Sequence, residues 1–266
     1  MEMLGNERPN LLDGTDGSDV FRGKGGGDVL LGSAQFNGDQ VDYEDSPTAV
    51  VVDLQRGFGR LGHAEGGSYI GIESARGSRF DDQFTGNDAA DNLFFGGEGD
   101  DSFISSGGAN SYFGGGGRDT VSYSQSSTGV TVDLARTGRG GDAEGDEYVG
   151  VENVVGSRGD DVLRGDSNNN ILTGEVGNDR LFGGAGDDTF VISAAIGGSE
   201  TVEDFSTAGD LLRVLDPAFG TTFDDLKANN LRQVGDDALL DFGGGNSVTL
   251  LGVDVDDLSA NDFVFG

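Results

Sequence analysis

Nine-residue spacing constrains this chain more than any other feature. From Gly156 the sequence runs without a gap as GSRGDDVLR, GDSNNNILT, GEVGNDRLF and GGAGDDTFV. Position 1 of each unit is Gly, position 6 is Asp or Asn, and position 8 is large and apolar. Further units begin at Gly5, Gly14 and Gly23, and at Gly77, Gly86, Gly96, Ser105 and Gly114, with Phe95 read as one extra residue. In these twelve units position 6 is Asp19, Asp28, Asp82, Asp91, Asp101, Asp119, Asp161, Asp179 or Asp188, or else Asn10, Asn110 or Asn170. Position 8 is apolar throughout, for example Leu12, Phe84, Leu93, Phe103, Leu163 and Phe190. A disordered chain does not hold a fixed apolar phase, so the period predicts a folded array.

The unit has a direct physical reading. Six glycine-rich residues turn tightly, because glycine enters positive φ without a Cβ clash. The next three run as a short strand whose middle residue points to one face. Two units then close one coil of a flattened solenoid. The predicted fold class is all-β: a parallel β-roll with strand-rich inserts and a C-terminal capping segment. Units n and n+2 stack in one row, so the Asp161 turn lies on the Asp179 turn and the Asn170 turn on the Asp188 turn. Stacked carboxylates repel one another, and a hard cation between them removes the repulsion. Calcium accepts six to eight oxygens at flexible angles, from carboxylates and carbonyls alike, whereas magnesium demands a tight octahedron.

Composition enters here as support. The chain carries 48 acidic and 16 basic residues, a formal net charge of −32, and 50 glycines in 266 residues. Among the acids 36 are Asp and 12 are Glu, which suits a ligand held close to its own turn. No Cys and a single His exclude thiolate sites and most zinc or iron centres. Such acidity is repelled by nucleic acid and by anionic lipid, and no apolar run is long enough for membrane insertion as a helix.

A longer repeat overlies the short one. VDYEDSPTAVVVDL at 41–54 matches VSYSQSSTGVTVDL at 121–134, and residues 62–73 match residues 141–152. The first copy has His63 and Gly67 where the second has Asp142 and Asp146. The resulting map is repeats at 1–40, an insert at 41–76, repeats at 77–122, a duplicate insert at 123–155, repeats at 156–191, and a closing segment at 192–266. In that segment a helix is expected from Thr222 to Ala228, and strands at 238–242 and 247–251. Fewer or weaker ions are expected in the N-terminal half than in residues 156–191.

The unit Gly183-Gly184-Ala185-Gly186-Asp187-Asp188-Thr189-Phe190-Val191 resembles the calcium-binding RTX (repeats-in-toxin) nonapeptide, a repeat for which calcium is already described. The resemblance covers roughly 110 residues. It implies several bound calcium ions and folding coupled to their binding. The expected ligands are the nine position-6 aspartates, with Asn170, Asp142, Asp146 and Asp204, and turn glycines Gly156, Gly174 and Gly183. The closing segment resembles the C-terminal region of serralysin-type proteins, where an uncleaved type I secretion signal lies. The start MEMLGNERPN lacks a basic stretch and an apolar core, so no Sec signal peptide is visible; the resemblance implies a secreted protein exported by a bacterial type I system. Expected roles are structural, adhesive or secretory, with a surface or glycan partner or self-assembly. The alternatives are an enzyme-associated or polysaccharide-processing module, since such blocks accompany proteases, lipases and alginate epimerases, or a component of a surface layer or virion.

Other signals are weaker. The dinucleotide-like pattern Gly57-Phe-Gly-Arg-Leu-Gly62 is what a glycine-rich chain produces by chance, and HAEGGS after it cannot open a helix. His63 has no accompanying nucleophile motif and reads as a surface or drifted ligand position. Acid pairs such as Asp100/Asp101 and Asp187/Asp188 recur at positions 5 and 6, which favours metal ligation over a single active site. Tyr43, Tyr69, Tyr123 and Tyr148 occupy equivalent places in the two inserts and read as core. With no zinc motif and no nucleophile elbow, no catalytic domain is expected.

Overall fold

The computed structural model describes residues 1–33, 38–88, 90–193, 197–215 and 222–266. Most strands are three residues long with a buried centre, as in Val162–Arg164, Ile171–Thr173 and Arg180–Phe182. Each pairs in parallel with the strand two units on, so Leu163 lies beside Leu181 and Leu172 beside Phe190. Consecutive strands therefore belong to different sheets, and the fold is a parallel β-roll. The turns impose this arrangement. Each reverses the chain within six residues, leaving a strand only long enough to bury one side chain.

The chain divides into two compact units, Met1–Ser122 with Asp142–Val151, and Tyr123–Gly141 with Glu152–Gly266. In the first, a seven-stranded parallel sheet runs in the order Glu2–Leu4, Val20–Arg22, Gln40–Asp42, Ser74–Arg76, Leu93–Glu98, Ser111–Gly116, Glu147–Val149. A second parallel set contains Gln83–Thr85, Ser102–Ile104 and Thr120–Ser122. Phe84 and Phe103 from this set meet Phe94 and Tyr112 from the other, with ring centroids 5.5 to 6.2 Å apart. The first insert adds an antiparallel hairpin, Val51–Asp53 against Phe58–Arg60. Tyr43 and Tyr69 are buried and their hydroxyls lie 2.7 Å apart. Tyr123 and Tyr148 are buried as well, as expected of core.

The middle block departs from the predicted frame. Leu93 is 36% exposed, while Phe94 is fully buried. The extra residue therefore sits inside the turn after Gly86 and is not Phe95. Asn92 and Phe94 take positions 6 and 8. The reason is packing: only Phe94 can reach the Phe84, Phe103 and Tyr112 rings, and a buried aromatic outweighs a buried Leu in apolar area.

In the second unit the core is mostly aliphatic: Val154, Leu163, Leu172, Leu181, Phe190, Val202 and Leu212 are all fully buried. The roll continues past the last nonapeptide. Ser199–Val202 pairs in parallel with Arg180–Phe182, and Leu211–Val214 with Thr189–Ile192. A helix at Phe223–Asn229 is capped by Thr222, whose hydroxyl accepts the Asp225 N–H at 3.2 Å. Asp237–Gly243 and Asn246–Leu250 form the antiparallel hairpin that the sequence predicts. The final strand, Phe263–Phe265, pairs with Leu211–Val214. No helix among the described residues is long and apolar enough to cross a membrane.

Candidate metal centre

Each position-6 group lies two residues before a buried strand centre, where the turn meets the strand. At Asp82 and Asp161 one carboxylate oxygen accepts a backbone N–H of its own turn. At Asp101 and Asp179 one oxygen accepts the N–H of the position-6 residue in the preceding coil of the same row. Asp161 shows the first contact, accepting the Ser157 N–H at 2.6 Å, and Asp179 the second, accepting the Asp161 N–H at 2.8 Å. Repetition makes a ladder along each edge of the roll.

In the first unit one row joins Asp82 to Asp101 and Asp101 to Asp119, each at 2.8 Å. The opposite row joins Asn92 to Asn110 at 2.9 Å and Asn110 to Asp146 at 2.7 Å. Near the N-terminus Asn10 donates to Asp28, and Asp19 to Asp39, both at 2.8 Å. In the second unit, besides Asp161 and Asp179, Asn170 donates to Asp188 at 2.8 Å and Asp188 to Asp210 at 2.9 Å. Stacked acids are thus present in both units and are not confined to residues 156–191.

Position 1 explains the glycine. A Cβ built on Gly156, Gly174 or Gly183 would overlap the position-6 carboxylate of its own turn, Asp161, Asp179 or Asp188. On Gly156 it would also sit 2.5 Å from the Gly174 carbonyl oxygen. Carboxylate and carbonyl oxygens therefore crowd a space that any side chain would fill. Such a mixed oxygen set, with little steric constraint on angle, matches what calcium accepts. Among the described residues no three His, Asp or Glu side chains converge on one point. Stacked carboxylates and turn carbonyls have to act together.

The electrostatics of the acid rungs are unfavourable by themselves. Asp101 and Asp179 are buried, and Oδ2 of each has no hydrogen-bond partner. Burial pushes the Asp101 carboxyl up to about 8, and the neighbouring Asp82 and Asp119 charges add to the rise. Burial likewise raises Asp179 to about 7 and Asp188 to about 6. An unpartnered, desolvated carboxylate is costly, and a cation or a proton relieves the cost. The residues present fit calcium on this ground.

The remaining expected ligands have separate positions. Asp91 is exposed and accepts the Ala109 N–H at 2.8 Å, the place of a position-5 residue, because Asn92 is the rung. Asp204 is also exposed and outside the ladder, accepting the Gly183 and Gly184 N–H groups at 2.8 and 3.1 Å. Asp142 lies half-buried on the short helical turn Gly141–Ala143, away from position 6, whereas Asp146 is a rung. His63 is 14% exposed and faces Asp45 at 3.3 Å and Glu7 at 3.9 Å.

Several rungs escape the nine-residue frame. Asp39, Glu73 and Asp210 are buried ladder members, with Glu73 accepting the Asp39 N–H at 3.0 Å. Glu200 is buried two residues before Val202, and burial raises its carboxyl to about 7. A signal for them was present in the i, i+2 pairing of a short acid or amide with an apolar residue: Asp39 with Val41, Glu73 with Ala75, Asn92 with Phe94, Glu200 with Val202, Asp210 with Leu212. It is hidden where the distance to the preceding glycine changes.

A family model of the RTX calcium-binding nonapeptide repeat matches in four copies, over residues 4–37, 69–97, 88–121 and 150–190. No curated protein matches the chain. Among solved structures the chain is similar to the extracellular lipase LipA from Serratia marcescens, at 19% identity and a TM-score of 0.33, over 91% of this chain and 45% of the lipase. The chain spans less than half the length of that lipase.

Proposed function

Because the chain is an RTX calcium-binding nonapeptide-repeat protein, we propose that it is a secreted β-roll whose folding is completed by calcium and which serves as a structural, adhesive or secretion module. The observation that carries this reading is the pair of buried carboxylate oxygens without partners, on Asp101 and Asp179. Calcium, when bound, supplies the positive charge that lets such carboxylates stay ionised and stacked. The ligands proposed for it are the stacked aspartates Asp82, Asp101, Asp119, Asp161, Asp179 and Asp188, with turn carbonyls including those of Gly156, Gly174 and Gly183.

Without the ion, a thin one-residue-deep core has to offset both chain entropy and carboxylate repulsion. Binding free energy then becomes folding free energy. Extracellular calcium modules bind in the range of about 10⁻⁴ to 10⁻³ M, so a module of this class is unfolded in a cell and folds outside it. Export as an unfolded chain by a type I system follows from that gating, and residues 192–266 are the segment proposed to carry both the cap and the export signal. Far-ultraviolet circular dichroism during a calcium titration from excess chelator tests the reading. The β spectrum is expected to grow with calcium, and a spectrum already complete in chelator sinks it.

A further inference from the structure

Acid and amide at position 6 can close the turn alike, Asp82 and Asp161 accepting the Ser78 and Ser157 N–H groups as Asn92 and Asn170 accept those of Asn87 and Asp166; they differ at the second side-chain atom. At Asp101 and Asp179 one carboxylate oxygen is buried without a partner. At the amide rungs the Nδ2 group donates to a backbone carbonyl instead. Asn110 donates to the Ser106 carbonyl at 3.0 Å, Asn92 to the Glu73 carbonyl at 3.2 Å, and Asn170 to the Glu152 carbonyl at 2.8 Å. The 105–110 turn carries more protons still. Tyr112 donates its hydroxyl to Ser105 Oγ at 2.8 Å, and Ser105 Oγ lies 3.4 Å from Asp146 Oδ2. Ser105 also stands at position 1, where the acid turns carry glycine.

We infer that the amide rungs are metal-free by construction: Asn92, Asn110 and Asn170 use their own amide protons where the acid rungs use calcium. An amide nitrogen brings partial positive charge to a backbone carbonyl, of its own turn at Asn110 and of the preceding coil at Asn92 and Asn170, and leaves no anionic oxygen for a divalent ion to neutralise. The Ser105 hydroxyl brings its one proton within reach of the Ser106 and Asp142 carbonyls, at 3.2 and 3.4 Å, and of Asp146 Oδ2 at 3.4 Å. Calcium is then loaded unevenly along the roll. In the first unit it enters the Asp82–Asp101–Asp119 edge, and the Asn92–Asn110 edge is held by the protein alone. In the second unit the Asp161–Asp179 row takes the ion and the Asn170 turn does not.

The inference rests on the calcium reading proposed above and says where that calcium goes. It is tested by counting ions on the full chain with native mass spectrometry, at saturating calcium, for the wild type and three variants. Asp101→Asn is expected to lower the count, since it installs an amide at an acid rung. Asn110→Asp and, independently, Asn170→Asp are expected to raise it, since each replaces the internal donor with a carboxylate facing a backbone carbonyl. The second of these serves if the first does not fold. Counts unchanged in both Asn→Asp variants, with a calcium-loaded wild type, overturn the inference alone, because the amide then either already holds an ion or does not exclude one. A wild type that binds no calcium at any concentration overturns the calcium reading and this inference with it.

Discussion

Residues 77–122 have two edges made by the same backbone with different chemistry. On one edge the rungs are Asp82, Asp101 and Asp119; on the other they are Asn92 and Asn110. The ladder distances are nearly equal, 2.8 Å between acids and 2.9 Å between amides. Holding the coils in register therefore needs an oxygen at position 6 and does not need a charge. The charge is an addition, and it leaves a buried oxygen on Asp101 without a partner, while the amide edge satisfies backbone carbonyls internally. The calcium proposed above would supply the missing partner on the acid edge.

The strongest perturbation should ignore the difference between edges. Phe103 touches Phe84, Phe94 and Tyr112, which come from strands behind both ladders. Phe103→Ala is expected to destabilise the calcium-loaded protein by about 3–5 kcal/mol in denaturant unfolding. Hydrogen exchange should show both edges loosened; loss of protection on one edge only would mean that the edges fold separately.

A smaller substitution should separate them. A Cβ on Gly96 would overlap the Asp101 carboxylate and stand 2.6 Å from the Gly114 carbonyl oxygen. Gly96→Ala is expected to cost about 1–3 kcal/mol through overpacking and to weaken calcium binding. Ser105 holds the matching position on the amide edge and already carries a side chain. Ser105→Ala removes the hydroxyl that accepts from the buried Tyr112, costs about 1–2 kcal/mol, and leaves the calcium midpoint where it was. Equal shifts of that midpoint in both variants would contradict the asymmetry.

Protons supply the gentlest probe. The folded-state carboxyls of Asp101 and Asp179 titrate near 8 and 7, raised from an ordinary 3.8. A raised folded value means that the folded state holds the proton more tightly than the unfolded chain. The contribution is fully present below the ordinary value and is lost as pH rises through 7 and 8. In chelator, any residual folded population should therefore grow as pH falls from about 9 to 5. In excess calcium the trend reverses, because protons compete with the ion for the same oxygens. Asp101→Asn should flatten both slopes, whereas the amide rungs contribute none.

The period at 156–191 was legible because every unit keeps nine residues, and its strands, buried leucines and stacked turns all follow that phase. The helix after Thr222 and the closing hairpin fall where the sequence places them, at 223–229 and 237–250. The middle block was misread by one residue at Leu93. Spacing alone cannot say on which side of Asp91 the extra residue lies, and the choice is made by the aromatic core that Phe94 completes. Asp39, Glu73 and Asp210 fall out of the nine-residue phase for a related reason, since their partners lie 20, 34 and 22 residues away and not 18.

By itself, then, the sequence determined the repeating unit, the parallel roll and the chemistry of an oxygen-liganded cation, because these depend on local turn geometry and a fixed apolar phase. The tertiary structure decided which position-6 groups share a row, which glycines face a carboxylate, and which carboxylate oxygens are buried without a partner. Those facts depend on what the adjacent coil brings to each turn. A turn with an amide and a turn with an acid look like variants of one motif in the chain, and only stacking shows that Asn110 donates to a backbone carbonyl while Asp101 and Asp179 each keep a buried oxygen without a partner.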